Sequence, residues 1–376
     1  MIYGVRTIEV PMERHISLMR DMVSLWQLIK VFWKERPDMV HSMTPKAGLL
    51  CMVAGWLTRV PVRVHTFTGL VFPTATGLQR RILMATDALT CFCATHVIPE
   101  GEGVKSDLLN NGITKKPLKV LGYGNVMGID LDRFLIENGK LKIENCSSPF
   151  GGSREGAPFI FLFVGRIVRD KGMNELMAAF DKLSKKYPQV RLVLVGPYED
   201  SLDPVSDETR RIIKDNPAIE AVGTKRGDDL LAYYAAADCF VFPSYREGFP
   251  NTVIEAGAMG LPCIVTDING SREIITNVSS YENDNECSVL SVECSDEKTQ
   301  SSKLKTKDNG LIIPSKDAEA LYEAMEMMLT DTEMRKRMAG NARKMIADRF
   351  EQGFVRKCLY EFYDEILHTD LTDPAD

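Results

Sequence analysis

Two acidic residues, Glu247 and Glu255, lie eight positions apart within the stretch 243–258. The preceding run CFVF at 239–242 predicts a short buried strand, and residues 251–259 predict a helix that begins after Gly-Phe-Pro. A helix N-terminus presents unpaired N–H groups and the positive end of the helix dipole, which favour a phosphate. Carboxylates beside it suit neutral hydroxyls, because a second anion next to a phosphate is repelled. The spacing therefore predicts a ligand that combines a phosphate with sugar hydroxyls.

Segments with strand and helix patterns alternate along the chain that carries these residues. The second half predicts strands at 159–164, 190–196, 220–223, 239–242, 262–266 and 310–314, and helices at 174–186, 209–216, 228–236, 251–259 and from 318 onward. The first half predicts strands at 5–10, 39–42, 62–66, 96–99 and 119–121, and helices at 18–35, 46–58, 78–89 and 103–110. This alternation is typical of an α/β protein with doubly wound parallel sheets.

The length of 376 residues predicts two domains, because one hydrophobic core seldom grows so large. We expect a first domain over 1–137, a polar, Gly- and Ser-rich linker over 138–158 and a second domain over 159–349. A polar segment, 277–308, is predicted to be an exposed insertion on the side away from the ligand edge. The end, 350–376, predicts a helix at 350–367 that crosses back to the first domain.

The composition limits the classes of protein to which this chain can belong. Residues 1–135 hold 16 Lys+Arg against 11 Asp+Glu (+5), which leaves 30 against 41 (−11) for the rest. A basic first half suggests that it faces an anionic surface or substrate, although a chance imbalance on solvated faces fits these counts equally well. We expect no nucleic-acid partner. Nine scattered cysteines, with neither a signal peptide pattern nor a membrane span in the sequence, predict a cytoplasmic protein.

Several runs together resemble glycosyltransferase family 4, whose members are retaining enzymes of the two-domain GT-B architecture. Besides Glu247 and Glu255, the resemblance is carried by FVGRIVRDKG at 163–172, VLVG at 193–196, AAADCFVFPS at 235–244, NGSREI at 269–274 and NGLIIP at 309–314. Each run alone is weak, but their order and spacing are specific. The resemblance covers nearly the whole chain and implies two Rossmann-like, doubly wound domains that face a cleft.

The resemblance also implies roles for individual residues. Arg166 and Lys171 match a cationic pair that holds the donor diphosphate, which agrees with the charge that builds on a leaving phosphate. Glu255 matches the acid that accepts hydrogen bonds from the ribose. Glu247 matches the acid that contacts the donor sugar near the reacting carbon. The remaining donor-binding residues assigned on this basis are Gly165 and the backbone amides of Asn251, Thr252 and Val253.

Each assignment has a structural alternative. The two cations are also compatible with surface residues, and the two acids with a solvated loop and a helix surface. Apolar neighbours around Glu255 predict a half-buried position, where an unpaired carboxylate is costly, so a bound partner is the better explanation there. Asp130 and Asp132 imitate a metal-binding pair, but they follow the position of a linker element of the family. We therefore predict no metal site.

The first domain departs from the family pattern in two places. Family members often carry a histidine just before the glycine in the segment 65–69, where this chain has Thr68. His41 and His65 lie near predicted strand ends, and with Thr68 they are candidates for contacts in the cleft. The chain also begins where the family reaches a third strand, which predicts a first domain that is truncated at its N-terminus. The alternative is a faithful record with a smaller sheet.

The resemblance implies a retaining, metal-independent transfer of a hexosyl group from a nucleotide-diphosphate sugar, with a UDP-sugar favoured and no cofactor. The expected acceptor is a saccharide or polyprenyl-diphosphate-linked saccharide in capsule or other surface-polysaccharide assembly. A peripheral membrane surface is a candidate partner, at the inner face of the cell membrane, although most apolar helix faces are better explained by packing on the sheet. Two alternatives stay open: a catalytically impaired nucleotide-sugar-binding protein, and a sugar-nucleotide epimerase of the same architecture.

Overall fold

The computed structural model describes residues 6–12, 17–134, 136–137, 140–141, 157–201, 203–280 and 304–372. These residues form two compact α/β units. The first unit comprises Met1–Val126 together with Lys357–Asp376, and the second comprises Met127–Arg356. The predicted linker therefore lies mostly outside the described residues, as does the centre of the predicted insertion.

The first unit is built on a parallel sheet of three strands in the order β1-β2-β3, in which Met39 pairs with Val62 and Val64 with His96. Its elements up to residue 126 are α1 (Leu18–Glu35), β1 (Met39–Ser42), α2 (Pro45–Leu57), β2 (Val62–Phe67), α3 (Gly77–Cys93), β3 (His96–Pro99) and α4 (Glu102–Asn110). Strand β2 is buried along almost its whole length, and its buried residues include the polar side chains of His65 and Thr66.

The second unit is built on a sheet of seven strands in the order β11-β12-β10-β9-β6-β7-β8. Its strands are β6 (Phe159–Val164), β7 (Val190–Val195), β8 (Ile219–Gly223), β9 (Cys239–Phe242), β10 (Cys263–Thr266), β11 (Lys305–Lys307) and β12 (Gly310–Ile313), and a separate antiparallel pair is formed by β4 (Ile136–Glu137) and β5 (Lys140–Leu141). All pairings within the large sheet are parallel except that of β11 with β12.

Helices cover this sheet, with α5 packed against α10 and α8 against α11. The helices are α5 (Met173–Lys186), α6 (Asp207–Asp215), α7 (Gly227–Ala236), α8 (Asn251–Ala258), α9 (Ser271–Ile274), α10 (Ala318–Thr330), α11 (Thr332–Phe350) and α12 (Gln352–Thr372). Helix α12 begins in the second unit, and its residues from Lys357 onward belong to the first. None of the helices within the described ranges combines the length and apolar character needed to cross a membrane.

The strand order of the second unit reverses between β6 and β9. From β6 the chain proceeds outward through β7 and β8, and it then returns to β9 and proceeds the other way through β10 and β12. Strands β6 and β9 are hydrogen-bonded neighbours, with Leu162 opposite Phe240. In open parallel sheets, ligands bind beyond the carboxyl ends of the strands at such a reversal. The loops after Val164 and Phe242 therefore mark the expected site.

Three predicted features differ in the structure. Strands were predicted at 5–10 and 119–121, but residues 6–10 and 119–121 form no regular secondary structure, because these short segments have no strand partner among the described residues. The end of the predicted insertion instead forms β11, which pairs antiparallel with β12 at the edge of the sheet. The two ends of that segment are joined, since Val278 donates its N–H to Asp308 Oδ2 at 2.9 Å and Thr276 donates to Asn309 Oδ1 at 3.0 Å.

Candidate functional site

Lys171 lies in a 3-10 turn, Arg169–Lys171, that follows β6 and leads into α5. The turn ends at Gly172, whose φ of +71° is in the left-handed region that favours glycine. A Cβ at this position would lie 2.0 Å from the carbonyl oxygen of Pro243. Glycine therefore allows the turn after β6 to touch the backbone that leaves β9, and this contact brings Lys171 to the reversal point.

Glu247 meets Lys171 at this point. The ammonium Nζ of Lys171 forms an ion pair with Glu247 Oε1, and each side chain is only 16% exposed. The hydroxyl of Ser244 donates a hydrogen bond of 2.7 Å to the same carboxylate oxygen. Lys171 Nζ also lies 5.1 Å from the centre of the Phe242 ring. A cation, a carboxylate and a buried hydroxyl are thus assembled from two strands that are distant in sequence.

The loop that carries Glu247 is held from both sides. Arg246 donates to Asp170 Oδ2 from Nε at 3.1 Å and from Nη2 at 2.8 Å. On the other side, Gly270 has a φ of +69°, and a Cβ there would lie 2.2 Å from the carbonyl oxygen of Gly248. These contacts fix the loop against the turn after β6 and against the chain that enters α9, which keeps Glu247 in place.

Helix α8 begins four residues after Glu247, at Asn251. Its N-cap residue is Pro250, which provides no side-chain cap, and Val253 N–H pairs with Pro250 O at 3.1 Å. Asn251 is exposed and Thr252 is half-buried, whereas Val253 is fully buried. The positive end of the helix dipole and the first amides of α8 therefore lie next in the chain to the Glu247 loop, where they favour an anion.

Glu255 lies one turn further along α8 and is half-buried, as the sequence predicts. Its Oε2 accepts a hydrogen bond of 2.9 Å from the hydroxyl of Tyr234, a fully buried residue of α7. Burial raises the pKa of Glu255, while the Tyr234 hydrogen bond and the charge of Arg133 act in the opposite direction. Burial and the nearby carboxylate also raise the pKa of Tyr234 well above its usual range, so it remains a donor.

Arg166 follows β6 directly but has a different partner from Lys171. Its Nη1 forms an ion pair with Glu199 Oε2, and the Arg166 side chain is half exposed. Gly165 donates its N–H to Val195 O at 2.9 Å, which continues the pairing of β6 with β7. Arg166 therefore lies towards β7, whereas Lys171 lies towards β9, and both follow the same strand.

The candidate residues of the first unit form a polar network of their own. His41 contacts the hydroxyl of Tyr363 through Nδ1 and that of Thr66 through Nε2, the latter at 2.7 Å, and His65 Nδ1 contacts Ser42 Oγ at 2.8 Å. Burial lowers the pKa of His41 to about 4, and burial together with the charge of His41 lowers that of His65 to about 4. Both rings are therefore neutral at pH 7. Thr68 is half-buried and donates to Met43 O at 3.1 Å.

The structure thus brings Lys171 and Glu247 into direct contact and places the start of α8 next to them in the chain. It pairs Arg166 and Glu255 with protein groups that the sequence did not reveal, namely Glu199 and Tyr234. The arrangement offers fixed positive charge for a phosphate group and carboxylate oxygens for hydroxyl groups. Among the described residues, no group of three His, Cys, Asp or Glu side chains is arranged to hold a metal ion.

Comparison with known proteins identifies the family. The model for glycosyl transferases group 1 matches residues 158–331, and the model for the glycosyl transferase 4-like domain matches residues 2–124. A relative from Escherichia coli, UDP-Gal:alpha-D-GlcNAc-diphosphoundecaprenol alpha-1,3-galactosyltransferase, is 31% identical over 73% of this chain and 69% of its own length. The chain belongs to glycosyltransferase family 4. The capsular polysaccharide biosynthesis glycosyltransferase CapM of Staphylococcus aureus is 29% identical over 95% of this chain and 84% of CapM.

The fold of this glycosyltransferase agrees with the family. The crystal structure of Anabaena HepE in complex with UDP matches with a TM-score of 0.67 at 16% identity, over 91% of this chain and 82% of HepE. The GT-B fold with its two α/β units and parallel sheets is therefore confirmed, as are the predicted family and the glycosyltransferase activity. The roles of the individual site residues remain predictions.

Sequence reasoning missed the two hydroxyl donors of the candidate site. Tyr234 lies on a helix with no unusual pattern, and Ser244 was noted only as part of the strand motif. One signal was present for Tyr234, because a tyrosine in an otherwise apolar, buried helix face needs a partner for its hydroxyl. That partner, Glu255, lies 21 residues away in the chain, which no local pattern indicates.

Proposed function

We propose that this glycosyltransferase transfers a hexosyl group, with retention of anomeric configuration, from a UDP-sugar to a hydroxyl of a polyprenyl-diphosphate-linked saccharide in surface-polysaccharide biosynthesis. The observation that carries the proposal is the contact of Lys171 with Glu247 at the strand-order reversal, directly before the N-terminus of α8. The name of CapM supports the polysaccharide context, and that of the Escherichia coli relative supports the lipid-linked acceptor and the UDP-sugar.

The proposed donor site lies in the second unit. Lys171 and Arg166 bind the diphosphate together with the amides of Asn251 and Thr252, and Gly165 gives the phosphate room beside β6. The Val253 amide, predicted from the sequence for the same role, already pairs with Pro250 O. Glu255 accepts hydrogen bonds from the ribose hydroxyls. Two cations and a helix N-terminus suit the charge of the diphosphate, whereas a half-buried carboxylate suits a neutral diol. The proposal assigns to Glu247 the hydroxyls of the donor sugar.

The proposed chemistry rests on stabilisation of the leaving group. In a retaining transfer without a covalent intermediate, the acceptor hydroxyl attacks on the face from which the diphosphate departs. Lys171, Arg166 and the helix amides offset the negative charge that grows on the departing diphosphate, and this stabilisation lowers the barrier. The proposal needs no second carboxylate at the distance that glycosidases use. We assign no dedicated general base among the residues of the chain, because the departing diphosphate, on the same face as the attacking hydroxyl, takes the proton of that hydroxyl.

The acceptor side is assigned to the first unit, where His41, His65 and Thr68 are the candidates. Both ring nitrogens of His41 have protein partners, and His65 is only 1% exposed. Their contacts favour a role in holding the strands together. Thr68 is better placed for a ligand, because its half-buried hydroxyl follows β2 at the carboxyl edge of the sheet.

A lipid-linked acceptor also suggests contact with a membrane surface, for which α1 is the proposed element. Trp26 and Trp33 of α1 are 56% and 71% exposed, and the ammonium of Lys30 lies 3.3 Å from the centre of the Trp26 ring. Indole rings beside basic groups suit the interface of an anionic bilayer. Vesicles that contain phosphatidylglycerol should carry the protein in flotation, and Trp26→Ala with Trp33→Ala should reduce that binding. Tyr360→Ala, which also removes an exposed ring, is the matched control, and equal flotation of all forms would contradict the assignment.

The donor proposal is tested first by binding. Titration calorimetry with UDP and with GDP should give the tighter binding for UDP. Lys171→Ala should weaken UDP binding about 10- to 100-fold, because it removes a charged donor to phosphate, about 1.5–3 kcal/mol. Lys182→Ala is the matched control, since Lys182 lies on the surface of α5 and pairs with Glu319 of α10. Equal affinity of both variants would remove Lys171 from the site.

Transfer itself is tested with polyprenyl-diphosphate saccharides as acceptors and a panel of UDP-hexoses. A product whose new linkage has the anomeric configuration of the donor, as measured by NMR, is the expected result. An inverted linkage would contradict the mechanism. UDP-sugar binding without transfer to any acceptor would favour the impaired binding protein, and conversion of the UDP-sugar to its epimer would favour the epimerase.

A further inference from the structure

Each of the two carboxylates of the proposed donor site has one oxygen engaged by a fully buried hydroxyl. Ser244 Oγ donates to Glu247 Oε1 at 2.7 Å, and Tyr234 Oη donates to Glu255 Oε2 at 2.9 Å. Both Ser244 and Tyr234 have an exposure of 0%. Within the described parts of the chain, Glu247 Oε2 and Glu255 Oε1 have no hydrogen-bond or ion-pair partner. The same division of the two oxygens thus occurs at two positions of one site.

We propose that Ser244 and Tyr234 are positioning residues that hold one oxygen of each carboxylate so that the other oxygen is presented to the donor substrate. The inference rests on the proposed function, because it assigns Glu247 to the sugar and Glu255 to the ribose. Neither hydroxyl touches the substrate in this arrangement. Their effect is to reduce the rotational freedom that each carboxylate would lose on binding.

The surroundings of Ser244 suit this role. Ser244 directly follows Pro243 at the end of β9, and its carbonyl oxygen accepts a hydrogen bond from the Thr266 hydroxyl at the end of β10. Two neighbouring strands therefore fix its position. The Lys171 ammonium contacts the same oxygen of Glu247 as Ser244 does, so that oxygen is held by two donors. Because two donors bind one oxygen of this carboxylate, one orientation of the carboxylate is strongly preferred.

The surroundings of Tyr234 suit the same role by another route. Its ring packs against that of Phe240 in β9, with centroids 5.9 Å apart, which fixes the direction of the hydroxyl. The alternative acceptor, Thr252 O, is more distant at 3.4 Å. Because Tyr234 is buried, its hydroxyl has no water to replace Glu255, and loss of the bond would leave one group unsatisfied. The pairing is therefore expected to persist in solution.

The test uses Tyr234→Phe and Ser244→Ala in the full chain. Tyr322→Phe and Ser184→Ala are matched controls, because Tyr322 donates to Glu326 at 2.6 Å and Ser184 Oγ lies 3.2 Å from Asp181 O, both outside the proposed site. Tyr234→Phe should weaken UDP binding about 5- to 30-fold in calorimetry. The loss should grow as the pH falls from 8 to 5, because removal of the hydroxyl raises the pKa of Glu255 further and protonates it sooner.

Ser244→Ala should instead lower kcat about tenfold with little change in KM for the donor, since Glu247 contacts the reacting sugar. Ser244→Cys, which keeps the size and a weak donor, should recover part of kcat.

Melting temperatures of all variants separate loss of folding from loss of positioning. A wild-type chain that does not bind UDP overturns the proposed function itself. Two other outcomes overturn the positioning roles alone, provided that the wild type binds UDP. One is an equal affinity and an equal pH dependence of UDP binding in Tyr234→Phe and Tyr322→Phe, and the other is an unchanged kcat in Ser244→Ala.

Discussion

The ammonium of Lys171 and the carboxylate of Glu247, 76 residues apart in the chain, form an ion pair where the turn after β6 meets the loop after β9. The family resemblance assigns these residues to two parts of one donor, the diphosphate and the sugar. In the described structure, each neutralises the other. In the proposed donor site, a bound diphosphate would compete with Glu247 for the charge of Lys171, so we expect the pair to affect affinity as well as catalysis.

Glu247→Gln separates these two effects. The amide keeps an oxygen for Ser244 but removes the charge that competes for Lys171, so UDP binding should tighten two- to fivefold, about 0.5–1 kcal/mol. Transfer should slow about 100-fold or more, because an interaction aimed at the reacting sugar is lost. Calorimetry and initial rates measure both changes. Glu319→Gln, at an exposed acid that pairs with Lys182, should alter neither, and weaker UDP binding by Glu247→Gln would contradict the competition.

Glu255→Gln should lower the affinity for UDP and raise the stability of the fold. Burial raises the pKa of Glu255 in the folded state above the unfolded value near 4.5. Below pH 4.5 the carboxyl is neutral in both states. As the pH rises from there through the raised pKa, ionisation of Glu255 lowers the stability of the folded state relative to the unfolded state. The stability of the variant relative to wild type should therefore increase as the pH rises from 4.5 to 7.5. Its UDP affinity should fall. Urea denaturation followed by circular dichroism at both pH values measures the gain, and an equal difference at the two values would contradict its electrostatic origin.

The first unit should lose stability in mild acid. The pKa of His41 and of His65 is about 4 in the folded state, below the ordinary value of 6.5, so between these values the unfolded chain binds more protons and stability falls with falling pH. Each histidine contributes a slope of up to about 1.4 kcal/mol per pH unit. His65→Gln should reduce the slope.

Fluorescence offers a specific measurement of that slope. The chain has three tryptophans, at 26, 33 and 56, and all of them lie in the first unit. Urea unfolding monitored by tryptophan emission therefore reports the first unit without a contribution from the second. An unchanged slope in His65→Gln between pH 7 and 5 would show that protonation of His65 does not limit the stability of this unit.

Gly172→Ala should destabilise the second unit and disturb the donor site. Alanine is strained at a φ of +71°, and its Cβ would lie 2.0 Å from Pro243 O, so we expect a loss of about 2–4 kcal/mol. UDP affinity should fall as well, because Lys171 and Glu247 lie on the two segments that would separate. Gly340→Ala is the control: a Cβ there meets nothing within 4 Å in α11, and stability should rise by about 0.5–1 kcal/mol. Equal melting temperatures of the two variants would contradict the close approach.

The sequence predicts elements well where burial dictates composition. The strands Phe159–Val164 and Cys239–Phe242 were predicted with the bounds that the structure has, because buried parallel strands need continuous apolar runs. The run at 119–121 has similar residues but no strand partner among the described residues. Pairing depends on the whole sheet, so a short run cannot reveal it.

The candidate site, like the fold, could be predicted only in part from the sequence. The positions of Lys171, Glu247 and α8 along the chain follow from motifs, but their partners do not. The pairing of Arg166 with Glu199, the tyrosine that bonds Glu255 and the shared oxygen of Glu247 all depend on contacts between segments 21 to 76 residues apart. Spacing predicts which side chains reach one edge of a sheet. It does not predict how those side chains divide their hydrogen bonds among themselves.

The contacts of Asp308 and Asn309 with residues 276 and 278 have a practical meaning for protein engineering. Hydrogen bonds of 3.0 and 2.9 Å hold residues 276 and 278 to residues 309 and 308. A replacement for residues 281–303 therefore needs to span only a short gap, and chain length there is decoupled from the register of β12. This position suits the insertion of a reporter or an affinity tag, remote in sequence from every residue assigned to the donor.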